Sequence, residues 1–421
     1  MIEKDWDNER NIRFMSALFW KGMVNCMHRK ISVGLCMTLI IIGIAVAISV
    51  TIPLTLYGVN HQVGIFAGGQ TNFKKLNEID KNVKKYFLDK VDEDKLSAAL
   101  ANGYVSALGD DYAQYLDNKQ YENKISMTKG ESKGLGIDIV KHPDNHYLYV
   151  AAVAGKSPAE AVGIVRGDLI TKINGKATET LTLEEAVNII KESGDKPVAL
   201  AILSTGTTKE LSVTPADFTT DAVDYRMIGT IGYIKIDTFG DETVPQFEEA
   251  LKGVMDKNAT ALIFDLRNNS GGTVDSCAKI LDMLLPSGDI VKTKDKSGNI
   301  KVDNKSDAKE ISLPMDVLIN GGTASASELF AMNIKDYNKG KLVGTKSYGK
   351  GIVQTTFQLS DNTAVKFTTG MFIDKNGNAY HKKGFEPDIK VELSAEQQKY
   401  FAMLNDKDDP QLMAAVNDLN Q

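Results

Sequence analysis

The sequence predicts a multidomain α/β chain with an N-terminal transmembrane helix, a compact β-rich unit and a layered α/β core, with helices at both ends. Three observations predict it. Residues 31–52 carry no charge over 22 positions. Short extended runs around one helix fill residues 129–215, and apolar strands alternate with amphipathic helices from about 216 to 392. The length of 421 residues suits several cores, and 43% apolar with 25% charged residues excludes a fibrous or disordered chain. The formal charge of −6 excludes a general basic surface for nucleic acid.

The charge is unevenly spread. The first 60 residues hold six Lys or Arg against four acids, a balance of +2 that leaves −8 for the remainder. As a helix, residues 31–52 would extend about 33 Å, enough for a hydrocarbon core of about 30 Å. A cleaved signal peptide has a shorter apolar region, and Ala45, Val46 and Ala47 lie inside this run. The sequence therefore predicts a cytoplasmic tail (1–30), an uncleaved anchor (31–56) and a linker (57–72). His28, Arg29 and Lys30 precede the run and no Lys or Arg follows until Lys74. That asymmetry predicts a single-pass protein of the cytoplasmic membrane, N-terminus inside and the rest outside. Cys277 is then the only external cysteine, so no intradomain disulfide and no cysteine zinc site is expected.

Beyond the linker, Leu76, Ile79, Val83 and Phe87 recur at helical spacing, and Leu96, Leu100, Tyr104 and Leu108 predict a second helix ending at Gly109. Together they define a helical region over 73–128. The β-rich unit should hold strands at 148–153, 168–173, 198–203 and 210–213 and a helix at 183–192. It opens on Lys133, Gly134, Leu135, Gly136 and Ile137, where glycines let backbone N–H groups approach a carboxylate. A plain turn explains Gly-x-Gly equally well. With the run from Ser157 to Asp168 and the pair Asn174, Gly175, this unit resembles a PDZ domain of the kind attached to proteases. The resemblance implies that an extended peptide adds to a sheet edge. Its C-terminal carboxylate would lie on Gly134, Leu135, Gly136 and Ile137, with Leu135 and Ile137 lining an apolar pocket.

Two strand–turn–helix junctions carry the candidate chemistry. The first reads Asp265, Leu266, Arg267, Asn268, Asn269, Ser270, Gly271, Gly272, where N–H groups at a helix start could hold an oxyanion. A tight βα connection is the alternative. The second runs from Asn320 to Glu328 through Ser325. A serine at a sharp turn beside N–H donors suits an acyl-transfer nucleophile. Ser325 with Glu328 three residues on is equally a capping box. A base for that serine could be His381, the only histidine near the core, or Lys350, set between Gly349 and Gly351. An unperturbed lysine titrates near 10.4, so Lys350 would need burial to act as a base near neutrality. His142 and His146 sit in a turn with no zinc-protease glutamate. Gly344 to Lys350 matches the start of a phosphate loop, but Gly351 replaces the Mg²⁺-binding hydroxyl and a strand-like run follows.

The order of these parts resembles the carboxyl-terminal processing peptidases: two short helices, a PDZ-like unit, the Asp265–Gly272 motif, Ala324-Ser325-Ala326-Ser327-Glu328, Gly349-Lys350-Gly351-Ile352-Val353-Gln354 and Gly384-Phe385-Glu386-Pro387-Asp388. The match runs from about Phe73 to the C-terminus. It implies Ser325 as nucleophile, Lys350 as general base and Gln354 as the residue orienting that lysine. Ala326 and either Gly271 or Gly272 would form the oxyanion hole. No metal or cofactor is implied. Ser270 stands where the family has Pro, and Thr323 where it has Ser. The expected activity is serine endopeptidase cleavage of protein tails with apolar C-termini, in a serine protease core over 216–392 followed by a helical region over 393–421. The family also implies homodimers built on the terminal helices. An inactive PDZ-based peptide-binding scaffold is the alternative reading.

Overall fold

The computed structural model describes residues 70–307 and 309–421. The predicted tail and anchor, and most of the linker, lie outside these residues. No helix among the described residues is long and apolar enough to cross a membrane. The chain divides into two units at Glu93 and Asp94. In the first, helix α1 (Gln70–Tyr86) begins inside the predicted linker and leaves Phe73, Leu76 and Ile79 exposed on one face.

The second unit starts along α2 (Glu93–Ser106), which buries Val105 but exposes Leu100 and Tyr104. A strap then runs to strand β1 (Gln114–Leu116) and helix α3 (Asn118–Thr128). Asp117 begins α3 with a capping box, its carboxylate accepting from the Gln120 N–H at 2.8 Å. The region expected to be purely helical thus contains a strand, and β1 pairs with the core rather than with its neighbours.

Next come β2 (Glu131–Gly134), β3 (Ile137–Lys141), β4 (Leu148–Val153), α4 (Pro158–Ala161), β5 (Leu169–Ile173), β6 (Lys176–Ala177), α5 (Leu183–Glu192), β7 (Val198–Ser204), β8 (Thr207–Val213) and β9 (Ala216–Thr219). The main sheet has the order β3-β4-β5-β7-β8, so β3 is an edge strand. Alternate residues enter its core from β4 and β7, Leu148 and Val150 with Leu200 and Ile202, whereas a register shift between Ile170 and Lys172 in β5 lets Ile170 and Ile173 both enter. Helix α5 starts at Thr182, whose hydroxyl accepts from Glu185 N while Glu185 caps Thr182 N in return.

The core sheet has the order β10-β11-β12-β15-β16-β19, from β10 (Val223–Ile228), β11 (Ile231–Ile236), β12 (Ala261–Asp265), β15 (Met315–Ile319), β16 (Gly340–Gly344) and β19 (Ile389–Lys390). All pairs are parallel except β10 with β11. Every residue of β12 and β15 is buried, which is why both read as continuous apolar runs. Leu262, Phe264, Val317 and Ile319 face α6 (Thr243–Met255), α7 (Val274–Leu284) and α8 (Ala326–Asp336). Ala261, Ile263 and Leu318 face the C-terminal helix α10 (Pro410–Leu419) through Leu412, Ala415 and Val416. That helix, expected as a separate region, is the second layer of the core. A second, antiparallel sheet has the order β1-β18-β13-β14 with β17 also on β18, from β13 (Gly288–Asp295), β14 (Ile300–Ser306), β17 (Ile352–Gln358) and β18 (Ala364–Phe372).

A buried ion cluster fastens α10 beneath the first predicted motif. Arg267, 5% exposed, pairs with Asp265 at 2.6 Å and with Asp409 at 2.7 Å. Asp409 also caps α10 through Gln411 N and Leu412 N. Burial opposes ionisation of Asp265, yet Arg267 holds its carboxyl below the usual range. That stabilisation is present above the unfolded carboxylate pKa and fades as pH falls through the lowered folded value. Arg267→Ala strands two buried carboxylates, so urea unfolding at pH 7 should show a loss of about 3–5 kcal/mol. A loss below about 1 kcal/mol would show that the cluster does not hold α10.

Candidate active site

The two predicted junctions meet at the carboxyl ends of β12 and β15, where crossover loops of a parallel sheet converge. A reciprocal amide pair clamps them: Asn268 N donates to Asn320 Oδ1 at 2.9 Å and Asn320 Nδ2 to Asn268 Oδ1 at 2.9 Å. Thr323 accepts from Asn320 N at 3.0 Å and donates to Leu266 O at 2.8 Å. The departure to threonine therefore preserves a bridging hydroxyl.

Ser325 stands at the start of α8 with φ 58° and ψ −118°, a backbone conformation strained for a residue with a side chain. The extended helix caps of this chain differ: Thr182 has φ −69° and Ser394 φ −61°. Ser325 and Glu328 face each other as in a capping box, but only one half is a normal hydrogen bond. Ser325 N donates to Glu328 Oε2 at 3.1 Å, whereas the hydroxyl makes no cap bond of normal geometry. The serine is thus held through its backbone.

Gly271 lies against this turn, since a Cβ there would sit 2.9 Å from Ser325 Cβ and 3.0 Å from Ala326 N. Its N–H is already committed to Asn269 Oδ1 at 2.8 Å. Buried Asn269 also donates to Ile236 O at 2.8 Å and accepts Ala324 N at 3.0 Å on its carbonyl. Gly272 bridges Phe239 in parallel fashion, and a Cβ there would overlap Phe239 O at 2.1 Å. In that bridge Phe239 bonds the residues on either side of Gly272, so the Gly272 N–H points away from Phe239.

Glu328 joins the serine turn to the lysine loop. It is fully buried and accepts four hydrogen bonds. Oε1 takes Ser347 Oγ at 2.6 Å and Gly349 N at 2.7 Å; Oε2 takes Ser325 N and, at 2.7 Å, Lys350 N. An ionised carboxylate is the side chain suited to four donors and no acceptor. Ser347 in turn accepts Phe385 N at 2.8 Å, which explains the Gly384-Phe385 motif as a support for the lysine loop. From sequence alone Glu328 is visible only as a cap, and neither Asn269 nor Ser347 stands out for a role. Their signal was present in spacing, since each lies within a motif that was quoted for other residues or in the loop before Lys350.

Lys350 is half-buried, and its pKa is lowered by that burial and by Lys366, with Asp110 opposing. Its Nζ lies over the Tyr112 ring, 4.9 Å from the centroid. Among the described residues it shares no hydrogen bond with Ser325 Oγ in this conformation. Gln354 donates not to Lys350 but to Tyr112 O at 2.9 Å. The orienting contact expected of Gln354 is not made in this conformation, in which its amide nitrogen donates to the strap. His381 packs edge-on to Tyr112 with ring centroids 6.2 Å apart. The phosphate-loop match leads into β17, a strand rather than a helix, which removes the nucleotide reading.

In the β-rich unit, Leu135 is 3% exposed inside the core, while Ile137 begins the open edge of β3. Gly136, with φ 77°, packs on Ser157 so closely that a Cβ would lie 2.2 Å from Ser157 Cβ. Ile137 and Ile190, on β3 and α5, are partly buried against one cluster.

Comparison with known proteins agrees with this anatomy. The pattern of peptidase family S41 matches residues 230–391, and that of the PDZ domain matches residues 124–203. The chain is 30% identical over 357 residues to a probable CtpA-like serine protease of Staphylococcus aureus (strain N315), covering 84% of this chain and 72% of the relative. It is 33% identical over 334 residues to a carboxy-terminal-processing protease of Bartonella bacilliformis, covering 77% and 76%. A solved putative S41 protease from Bacteroides fragilis superposes with TM-score 0.56 at 17% identity, over 80% of this chain and 91% of that one, which speaks to fold alone. The chain is a PDZ-containing serine endopeptidase. It belongs to peptidase family S41, among the carboxyl-terminal processing peptidases.

Proposed function

We propose that this peptidase binds the free C-terminus of an extended protein tail on its PDZ-like unit and cleaves the tail by acyl transfer from Ser325, with Lys350 as general base. The four hydrogen bonds of buried Glu328 carry the reading, because one carboxylate fixes both the serine turn and the lysine loop. The strained backbone of Ser325 supports its role as nucleophile. Ala326 N and Gly272 N serve as oxyanion donors, Gly271 N being engaged by Asn269. Gln354 orients the neutral lysine once released from Tyr112. Residues 31–52 anchor the chain in the cytoplasmic membrane with the catalytic unit outside. The exposed apolar residues of α1 and α2 suit pairing with a second copy.

The tail adds as a strand to the free edge of β3, its carboxylate on the loop from Gly134 to Ile137 and its last side chain between Ile137 and Ile190. A tail peptide ending in an apolar residue should lose at least about tenfold in kcat/KM when its C-terminus is amidated, mainly through KM. Equal kinetics for acid and amide would remove carboxylate recognition from the account.

A further inference from the structure

The strap of residues 110–116 is fastened to the second sheet at both ends. Asp110 accepts Tyr112 N at 3.0 Å and Thr368 N at 2.8 Å, and β1 pairs Gln114 with Lys366. Between these anchors Tyr112 meets both working parts of the proposed base. Its ring lies under Lys350 Nζ at 4.9 Å, and its carbonyl accepts Gln354 Nε2 at 2.9 Å. The other titratable and charged groups around this point are Asp110 and Asp111 on the strap, Lys366 on β18, Tyr348 in the lysine's own loop, His381 at the edge of the Tyr112 ring, and Glu328 under the Lys350 amide. Among the described residues no carboxylate forms an ion pair with Lys350, so the ring face is the contact its ammonium makes.

We infer that Tyr112 is a positioning residue for the reaction: its ring holds the ammonium of Lys350 and its carbonyl holds Gln354, so that the strap keeps the base in a resting arrangement. A ring face attracts a cation and gives a neutral amine far less. The contact therefore favours the protonated lysine, which is the form that cannot accept a proton from Ser325. Moving Lys350 onto Ser325 requires the ring contact to be surrendered. Burial and Lys366 push the lysine toward neutrality and Asp110 opposes them; the ring of Tyr112 adds to that opposition. The inference rests on the reading of Lys350 as base.

The test is the pH profile of kcat/KM for peptide cleavage by the full chain. Tyr112→Leu should move the acid limb down by about 0.4–1.5 pH units and so raise kcat/KM about 2.5- to 30-fold at pH 7. Tyr112→Phe keeps the ring and should keep the position of the wild-type limb. Tyr112→Met fills similar space without a ring and should follow the leucine variant if that one folds poorly. A limb that stays in place or moves up in both non-aromatic variants overturns the inference. So does a loss of activity in both that raising the pH does not recover. Lys350→Ala measured alongside separates the two failures. If it is inactive while Tyr112→Leu is unshifted, only the role of Tyr112 falls; if it is fully active, the base assignment falls first.

Discussion

Ser325→Ala is expected to lower peptide turnover by about 10⁴-fold or more while leaving the chain folded. The side chain is partly exposed at a turn held by backbone bonds, so its removal costs little structure. The same site sets a pH dependence. Lysine must be neutral to take the hydroxyl proton, and Lys350 is held below its ordinary pKa by burial and by Lys366. Turnover should therefore rise with pH as Lys350 loses its proton and level off above its lowered pKa. The profile of kcat/KM checks the sign, since it reports groups of the free enzyme. A rate that falls through that range would contradict a lysine base.

Glu328→Gln is expected to have the second-largest effect, and on two readouts together. The carboxylate receives two donors on each oxygen. An amide of the same shape turns one oxygen into an NH₂ group facing two N–H or O–H donors, with no water able to intervene at a fully buried position. Urea unfolding should show a loss of about 2–4 kcal/mol. Turnover should fall by at least about 100-fold under conditions where the variant remains folded, because Ser325 and the Lys350 loop lose their common tether. A variant as stable and as active as the wild type would mean that the two loops are positioned independently of Glu328.

The sequence was most legible where one physical signal dominated. Strands β12 and β15 are buried on both faces, and their uninterrupted apolar runs announced them. Helix α5 was read over 183–192, and the structure places it there, started by a capping box. The antiparallel hairpin of β13 and β14 was not read, since Lys, Asp and Asn populate its outer positions and blur the alternation. Sequence distance hid β1, a three-residue strand whose partner residue Lys366 is some 250 positions away. At the site, motif order brought out Ser325 and Lys350. The contacts of Tyr112 and the fourfold role of Glu328 were invisible, because they depend on which loops meet in space. Gln354 illustrates the limit most clearly: its position was found, but its partner in this structure is the strap.

The central claim is that lysine, not histidine, is the base for Ser325. Cleavage of an unfolded tail peptide by Lys350→Ala and by His381→Ala tests it most directly, with the folding of each variant checked by thermal melting. Loss of about 10³-fold or more in the lysine variant with near wild-type turnover in the histidine variant is expected. Turnover that survives Lys350→Ala and disappears with His381→Ala would contradict the dyad and replace it with a histidine-based triad.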